Sequence, residues 1–306
     1  MNLLLLGATG FVGAHVRDAA RECGARVVGT SRDRGRAELE CDLLDPRSLS
    51  AAVARARPDV VVNMAGAPSV AASWKNPSET FAVNTTGVGN LLEAVRDGAP
   101  RAFVLCVSSA EVYGEVAPDD LPLTEDRPFA PASPYGEAKA AMEEVCAAHA
   151  ADGRQIAVVR AFNQIGPGQS PAFVASGFAR QIASAESSGS ATAELRVGNL
   201  AAARDFIDVR DSARAYMAIC ELRLAGTFNL CSGQAVSIAE LLEKMAAATA
   251  LEIRAVPDPA LARPADAPIV YGSAERLRSA TGWRPRLPLE RTLADLIDWS
   301  REDLRE

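Results

Sequence analysis

Tyr135 and Lys139 stand four residues apart in Ser133-Pro134-Tyr135-Gly136-Glu137-Ala138-Lys139, a spacing that puts both side chains on one face of a helix. A lysine ammonium beside a phenol stabilises the phenolate, so the tyrosine can exchange a proton with a reacting oxygen near neutral pH. Upstream, Val107-Ser108-Ser109-Ala110-Glu111-Val112-Tyr113-Gly114 places Ser109 and Glu111 at the end of a predicted strand. Ser109 could hydrogen-bond the reacting oxygen, although Ser108 beside it could equally face the chemistry. Moving hydride at a carbinol carbon needs an acid/base, an oxygen clamp and a nicotinamide.

The third part is signalled at the start of the chain. Gly7-Ala8-Thr9-Gly10-Phe11-Val12-Gly13 follows the first predicted strand and opens a helix. Gly7 permits the tight turn, Gly10 lets a pyrophosphate approach the backbone, and Gly13 allows close helix–sheet packing. The helix N-terminus adds free N–H groups and a favourable dipole. Thr9, Phe11 and Val12 complete this candidate dinucleotide turn. At the end of the second predicted strand an acidic residue would select NAD, whereas an arginine accommodates the 2′-phosphate of NADP. Here Ser31 and Arg32 occupy that place, with Arg34 just beyond, so NADP(H) is expected over NAD(H). Asp42, in Cys41-Asp42-Leu43, is a candidate adenine contact, and Leu43 is grouped with the cofactor-binding residues.

These groups need a scaffold. Strands are predicted at 2–6, 26–30, 59–63, 102–108 and 155–160, and helices at 11–22, 48–56, 77–96 and 134–151. Apolar strands alternating with helices read as a parallel sheet covered on both faces, hence a doubly wound α/β fold. After Phe162 the pattern changes to a Gly-, Pro-, Ser- and Ala-rich stretch over 163–204 with one helix near 172–186. A helix at 210–221 and a strand at 227–231 then return to the main sheet. From Gln234 onward the chain reads as helical and loop-rich. The expected division is therefore 1–162 plus 205–232 for a dinucleotide-binding domain, and 163–204 plus 233–306 for a smaller α+β substrate domain.

Bulk properties set limits. The 306 residues are 48% hydrophobic and 23% charged, with a net charge of −7 and no basic tract, which argues against a nucleic-acid partner. The six cysteines are scattered without a CxxC pair, and the two histidines lie near no cysteine cluster, so no metal site is expected. The N-terminal apolar stretch is too short for a signal core or a membrane span. A reduced, cytoplasmic setting without membrane partners is the default expectation.

With the Gly7 motif, Asn63-Met64-Ala65-Gly66, Asn84-Thr85-Thr86-Gly87, the Ser109 segment and the Tyr135/Lys139 pair, the chain resembles an extended short-chain dehydrogenase/reductase of the sugar-nucleotide epimerase/dehydratase group. The resemblance spans nearly the whole length. It implies that Lys139 also holds the nicotinamide ribose, that Asn84 and Ala65 line the cofactor channel, and that the chain forms a homodimer through helices 77–96 and 134–151.

The second half narrows the substrate. Arg160-Ala161-Phe162-Asn163-Gln164-Ile165-Gly166-Pro167-Gly168-Gln169 resembles the substrate-binding turn of the reductases in this group that make GDP-6-deoxy-mannose from its 4-keto precursor. Val197-Gly198-Asn199-Leu200, the run Ala203–Asp211 and Asn229-Leu230-Cys231-Ser232-Gly233 resemble the same reductases. The resemblance implies that Asn163, Arg204 and Arg263 contact the nucleotide diphosphate, arginine suiting bidentate bonds to phosphate. Val174 joins them as a substrate-binding candidate. Two residues depart from simple expectation. Gln164 stands where those reductases carry histidine, and Glu111 occupies the place of the C5-proton base of related 4,6-dehydratases. Ala110 removes a polar group that a dehydratase could use, which favours reduction. Trp74 reads equally as a loop anchor or a substrate contact. The leading expectation is NADPH-dependent reduction of a nucleotide-linked 4-keto-6-deoxyhexose, GDP-linked. The alternatives are a 4,6-dehydratase or epimerase that recycles its cofactor, and a non-catalytic NADP-sensing protein.

Overall fold

A computed structural model describes residues 1–33, 35–261 and 267–305. The first half alternates strands and helices: β1 (Asn2–Leu6), α1 (Phe11–Glu22), β2 (Arg26–Ser31), β3 (Leu39–Glu40), α2 (Pro46–Ala56), β4 (Val60–Asn63), α3 (Val70–Lys75), α4 (Pro77–Phe81), α5 (Gly87–Gly98), β5 (Phe103–Ser109), α6 (Pro134–Ala151) and β6 (Ile156–Ala161). The second half contributes β7 (Asn163–Ile165), α7 (Val174–Ser187), β8 (Thr192–Val197), β9 (Ala203–Asp208), α8 (Val209–Leu222), β10 (Gly226–Leu230), β11 (Ala235–Ser237), α9 (Ile238–Ala246), β12 (Glu252–Pro257), β13 (Ile269–Val270), α10 (Glu275–Thr281) and α11 (Leu289–Asp303).

Seven strands form one parallel sheet in the order β10-β6-β5-β4-β1-β2-β3. Its apolar strands are buried on both faces because helices cover each side. In β1, Leu3 and Leu5 enter one core while Leu4 and Leu6 enter the other, as the two-residue period of a strand requires. This is the expected doubly wound sheet. The order reverses between β1 and β4, and ligands of such sheets bind outside the strand carboxyl ends at that point.

A smaller unit carries a second sheet, β11-β9-β13 with β7 also on β9, and the separate pair β12-β8. Its own core gathers Phe178, Ile182, Leu195, Leu241, Leu293 and Leu296. The expected boundaries shift at two places. Strand β9 pairs within the smaller sheet, so the return to the large sheet comes with α8 and β10 and not at 205. Ala274, Leu277 and Trp283 pack in the core of the large sheet, although 233–306 was expected to stay in the smaller unit. The chain therefore crosses between the units more often than its composition signals.

The predicted helix 77–96 is interrupted. A π-helical turn at Ala82–Thr86 separates α4 from α5, and it buries Asn84 and Thr85. Such turns widen the backbone by one residue and aim side chains that a regular helix would not. The segments read as loop-rich also hold β7, β8, β11, β12 and β13.

Candidate active site

The dinucleotide turn is held by backbone contacts that leave no room for side chains. Gly7 has φ +75, and a Cβ on Gly13 would stand 2.0 Å from the Gly7 carbonyl oxygen. The chain thus folds back onto the start of α1 at a distance that only glycine allows. Gly10 caps α1 without any side-chain hydrogen bond, so the first N–H groups of the helix face outward for an anion. These features fit a pyrophosphate. Thr9 Oγ1 donates to Ser31 Oγ at 3.2 Å, and the Asp33 N–H donates to the same oxygen at 3.1 Å. Ser31 is thereby fixed at the end of β2, with Arg32 exposed beside it. Arg34 lies outside the described residues. Glu38, an acid that sequence reading passed over, is occupied by the Gly29 N–H at 3.0 Å and by Arg21 at 3.2 Å. Asp42 closes its own turn by accepting the Leu44 N–H at 2.9 Å, and Leu43 is buried beneath it.

At the end of β4, Asn84 clamps the neighbouring loop: its Oδ1 accepts the Ala67 N–H and its Nδ2 donates to the Ala67 carbonyl, each at 3.1 Å. Ala65 is half-buried within that loop. The adjacent Thr85 hydroxyl donates to the carbonyl of Ala138 at 2.8 Å, tying the π-helical turn to α6 between Tyr135 and Lys139.

Helix α6 starts at Pro134 under a Ser133 cap that accepts the Gly136 N–H at 3.1 Å. A Cβ on Gly136 would stand 2.6 Å from the Glu111 carbonyl oxygen, so the helix presses directly on the Ala110–Tyr113 turn. That approach brings Ser109 and Glu111 beside Tyr135. The Ser109 hydroxyl accepts the Glu111 N–H at 3.2 Å and is within hydrogen-bonding reach of the phenol. Ser108 points the other way: its hydroxyl donates to buried Glu143 at 2.6 Å, which settles the ambiguity between the two serines. Ser73, on α3, accepts the Tyr135 N–H at 3.2 Å. No sequence motif marks Ser73 or Glu143, and the Asn84-Thr85-Thr86-Gly87 run gives no sign of the Thr85 bond to α6, because their partners are distant in the chain.

Electrostatics differ from the sequence expectation. Burial pushes the Tyr135 phenol up to about 12, with the Ser109 hydrogen bond opposing and Glu111 adding to the rise. Burial pulls Lys139 down to about 8. The expected lowering of the tyrosine by the lysine does not enter the balance; burial dominates both groups, because in a desolvated wall charge of either sign is costly. At neutral pH the phenol is therefore firmly protonated, the state of a proton donor.

Across the site, Asn163 is exposed on β7 and Val174 opens α7, 39% exposed. Arg204 lies on β9, its guanidinium donating to the carbonyls of Ala203 and Ala267 at 2.8 Å each. The neighbouring acids are committed elsewhere: Asp205 to the Ser232 and Gly233 amides, and Asp208 to Arg210. Arg263 lies outside the described residues. Gln164 accepts from the Tyr216 hydroxyl at 3.3 Å. Trp74 is 64% exposed on α3. Among the described residues no group of three or more His, Cys, Asp or Glu could hold a metal ion.

A family model described as GDP-mannose 4,6 dehydratase matches residues 4–296 of this chain. The chain belongs to the GDP-mannose 4,6 dehydratase family. Its relatives in that family and around it are sugar-nucleotide enzymes. The chain is 37% identical to a GDP-6-deoxy-D-mannose reductase of Pseudomonas aeruginosa, over 97% of this chain and 96% of the relative. It is 29% identical to a GDP-6-deoxy-D-talose 4-dehydrogenase of Aggregatibacter actinomycetemcomitans, over 92% of each chain. Among solved structures, RMD from Pseudomonas aeruginosa complexed with NADPH superposes with a TM-score of 0.89 at 33% identity, covering 99% of this chain and 100% of that one. The relatives that this chain resembles are thus named for more than one reaction.

Proposed function

We propose that the chain is an NADPH-dependent reductase of a nucleotide-linked 4-keto-6-deoxyhexose, GDP-linked, producing a GDP-6-deoxy-mannose. The observation that carries this reading is the likeness to a GDP-6-deoxy-D-mannose reductase over nearly the whole chain, together with Tyr135 buried beside Ser109 at the start of α6. When bound, NADPH supplies the hydride. The chain's own residues do the rest. Ser109 hydrogen-bonds the C4 carbonyl oxygen, and Tyr135 gives its proton to that oxygen as charge develops on it. Lys139 holds the nicotinamide ribose and supplies positive charge near the phenol after proton loss. Gly7, Gly10 and Gly13 seat the pyrophosphate, Ser31 and Arg32 face the 2′-phosphate, and Asp42, Leu43, Ala65 and Asn84 line the remaining channel. Asn163, Val174 and Arg204 take the nucleotide diphosphate and sugar, and Arg263 is proposed with them.

In support of a homodimer through α4–α6, Phe81 at the end of α4 is 46% exposed. No helix among the described residues is long and apolar enough to cross a membrane, and a cytoplasmic setting is part of the proposal. The deciding assay is NADPH oxidation with GDP-4-keto-6-deoxymannose. Loss of NADPH absorbance matched by a new GDP-deoxyhexose supports reduction; no oxidation with this or related keto-sugars removes it. Glu111 beside Tyr135 favours one second reading, a dehydratase or epimerase with recycled cofactor, which would turn over GDP-mannose without net NADPH loss.

A further inference from the structure

The first turns of α1 face two ways. One side presents the free N–H groups above Gly10. On another, Phe11 and His15, one helical turn apart, pair edge to face with ring centres 5.8 Å apart. Both meet the turn that follows β7. His15 Nε2 stands 2.9 Å from the Pro167 carbonyl oxygen, and since a carbonyl only accepts, the imidazole is the donor there. Gly168 lies against the Phe11 ring, at ordinary van der Waals distance for a built Cβ (3.8 Å).

The turn is braced from behind as well. Gln169, buried, donates from Nε2 to the Gln164 carbonyl at 2.7 Å, and its Oε1 accepts from the Ser176 hydroxyl of α7 at 2.7 Å. The segment 163–169 is therefore gripped between α7 on one side and the cofactor helix on the other. Asn163 stands at its start, paired with Phe206 of β9.

We propose that His15 couples the two ligand sites. Occupancy of the α1 turn by a dinucleotide and occupancy of the 163–169 turn by a nucleoside-diphosphate sugar strengthen one another through the His15–Pro167 hydrogen bond. This inference rests on the function proposed above. An anion on the first turn of α1 restrains that turn, the restrained turn holds His15, and His15 holds the carbonyl of Pro167. By linkage, the substrate turn must stabilise the bound dinucleotide by the same factor. His15 touches neither ligand and is a positioning residue.

The test is calorimetric titration of the full chain with GDP, with and without saturating NADPH, and with NADPH alone. In the wild type GDP binds roughly fivefold or more tighter when NADPH is present, the lower end of ordinary coupling. In His15→Ala that ratio falls to near one, since one hydrogen bond is worth roughly two- to tenfold, while NADPH alone binds within about twofold of wild type because His15 does not touch it. His15→Gln, whose amide N–H can donate to the same carbonyl, restores the ratio. A merely structural role would weaken both ligands and lower the melting temperature without touching the ratio. An unchanged ratio in His15→Ala, a wild-type ratio of one, or a glutamine variant that behaves as alanine each overturns the proposal. Should His15→Ala not fold, His15→Phe keeps an aromatic ring without a donor and carries the same comparison. If wild type binds NADPH but never GDP, the functional reading itself fails and takes this inference with it.

Discussion

The Lys139 Nζ donates to the carbonyl oxygen of Val107 at 2.8 Å and stands 5.9 Å from the centre of the Tyr135 ring. The lysine thus fastens α6 to β5, the strand that ends in Ser109, and at the same time faces the phenol. Reduction of a ketone needs a donor that holds its proton until the alkoxide forms. Burial keeps the Tyr135 phenol protonated, as the proposed role of proton donor requires, and in that proposal the nearby ammonium acts once the proton has gone.

Tyr135→Phe should lower the rate of keto-sugar reduction by about 10²–10⁴, the usual worth of a positioned acid. NADPH affinity should stay within about twofold, because the ring and its packing remain. Stopped-flow reduction and fluorescence titration separate the two. Near-normal turnover in this variant would remove Tyr135 as the acid.

Lys139 makes a testable contribution to stability. Burial lowers its folded-state value from 10.5 to about 8. Between those two pH values the unfolded chain keeps the proton and the folded chain has released it, so this contribution rises with pH across that window. Urea unfolding at pH 8, 9 and 10 should show a slope in wild type that Lys139→Met lacks. Parallel slopes would mean that the folded lysine titrates normally.

Gly13→Ala sets a Cβ against the Gly7 carbonyl oxygen. Overpacking of this kind costs about 1–3 kcal/mol, and here it must also displace the anion-facing turn. Both a lower melting temperature and weaker NADPH binding are expected. A variant with the wild-type dissociation constant would show that the turn does not bind the cofactor.

Ser31→Asp places a carboxylate at the end of β2, where Thr9 and Asp33 already fix the side chain. Repulsion of a 2′-phosphate and a charged hydrogen bond to a 2′-hydroxyl, each about 1.5–3 kcal/mol, both favour NADH. The ratio of kcat/KM for NADPH over NADH should fall by at least about tenfold. An unchanged ratio would place cofactor selection elsewhere.

Glu143 is buried and receives Arg160 through both carboxylate oxygens, at 2.9–3.1 Å, besides the Ser108 hydroxyl. Glu143→Gln leaves Arg160 in the interior without its counter-charge, which costs about 3–5 kcal/mol. Chemical denaturation should show that loss. A change below about 1 kcal/mol would mean that water reaches the guanidinium.

The large sheet and the tight glycine turn after β1 were legible because each strand is a continuous apolar run and the glycines sit at a strand-to-helix turn. The pair Tyr135/Lys139 was legible for a similar reason, its spacing being a property of one helix. What escaped was whatever depends on distant partners. Asn84 belongs to a motif of the resemblance, yet the π-helical turn that carries it, where its side chain bonds Ala67, is marked by no local residue preference. The upward shift of Tyr135 comes from its burial, which no spacing encodes. Strands β7 and β13 span three and two residues, too short for any period to declare itself. Strand β8 was there to be read: Ala193, Leu195 and Val197 are buried and alternate with exposed Glu194 and Arg196.

Strand β10 supplies the edge of the large sheet next to β6, although some sixty residues, most of them of the smaller unit, separate the two in sequence. During synthesis, then, β6 must wait with one row of backbone donors and acceptors unsatisfied until Leu230 has left the ribosome, and Trp283 closes the core later still. An open, apolar edge of that kind invites pairing with other chains. A fragment ending near residue 162 should accordingly aggregate instead of folding.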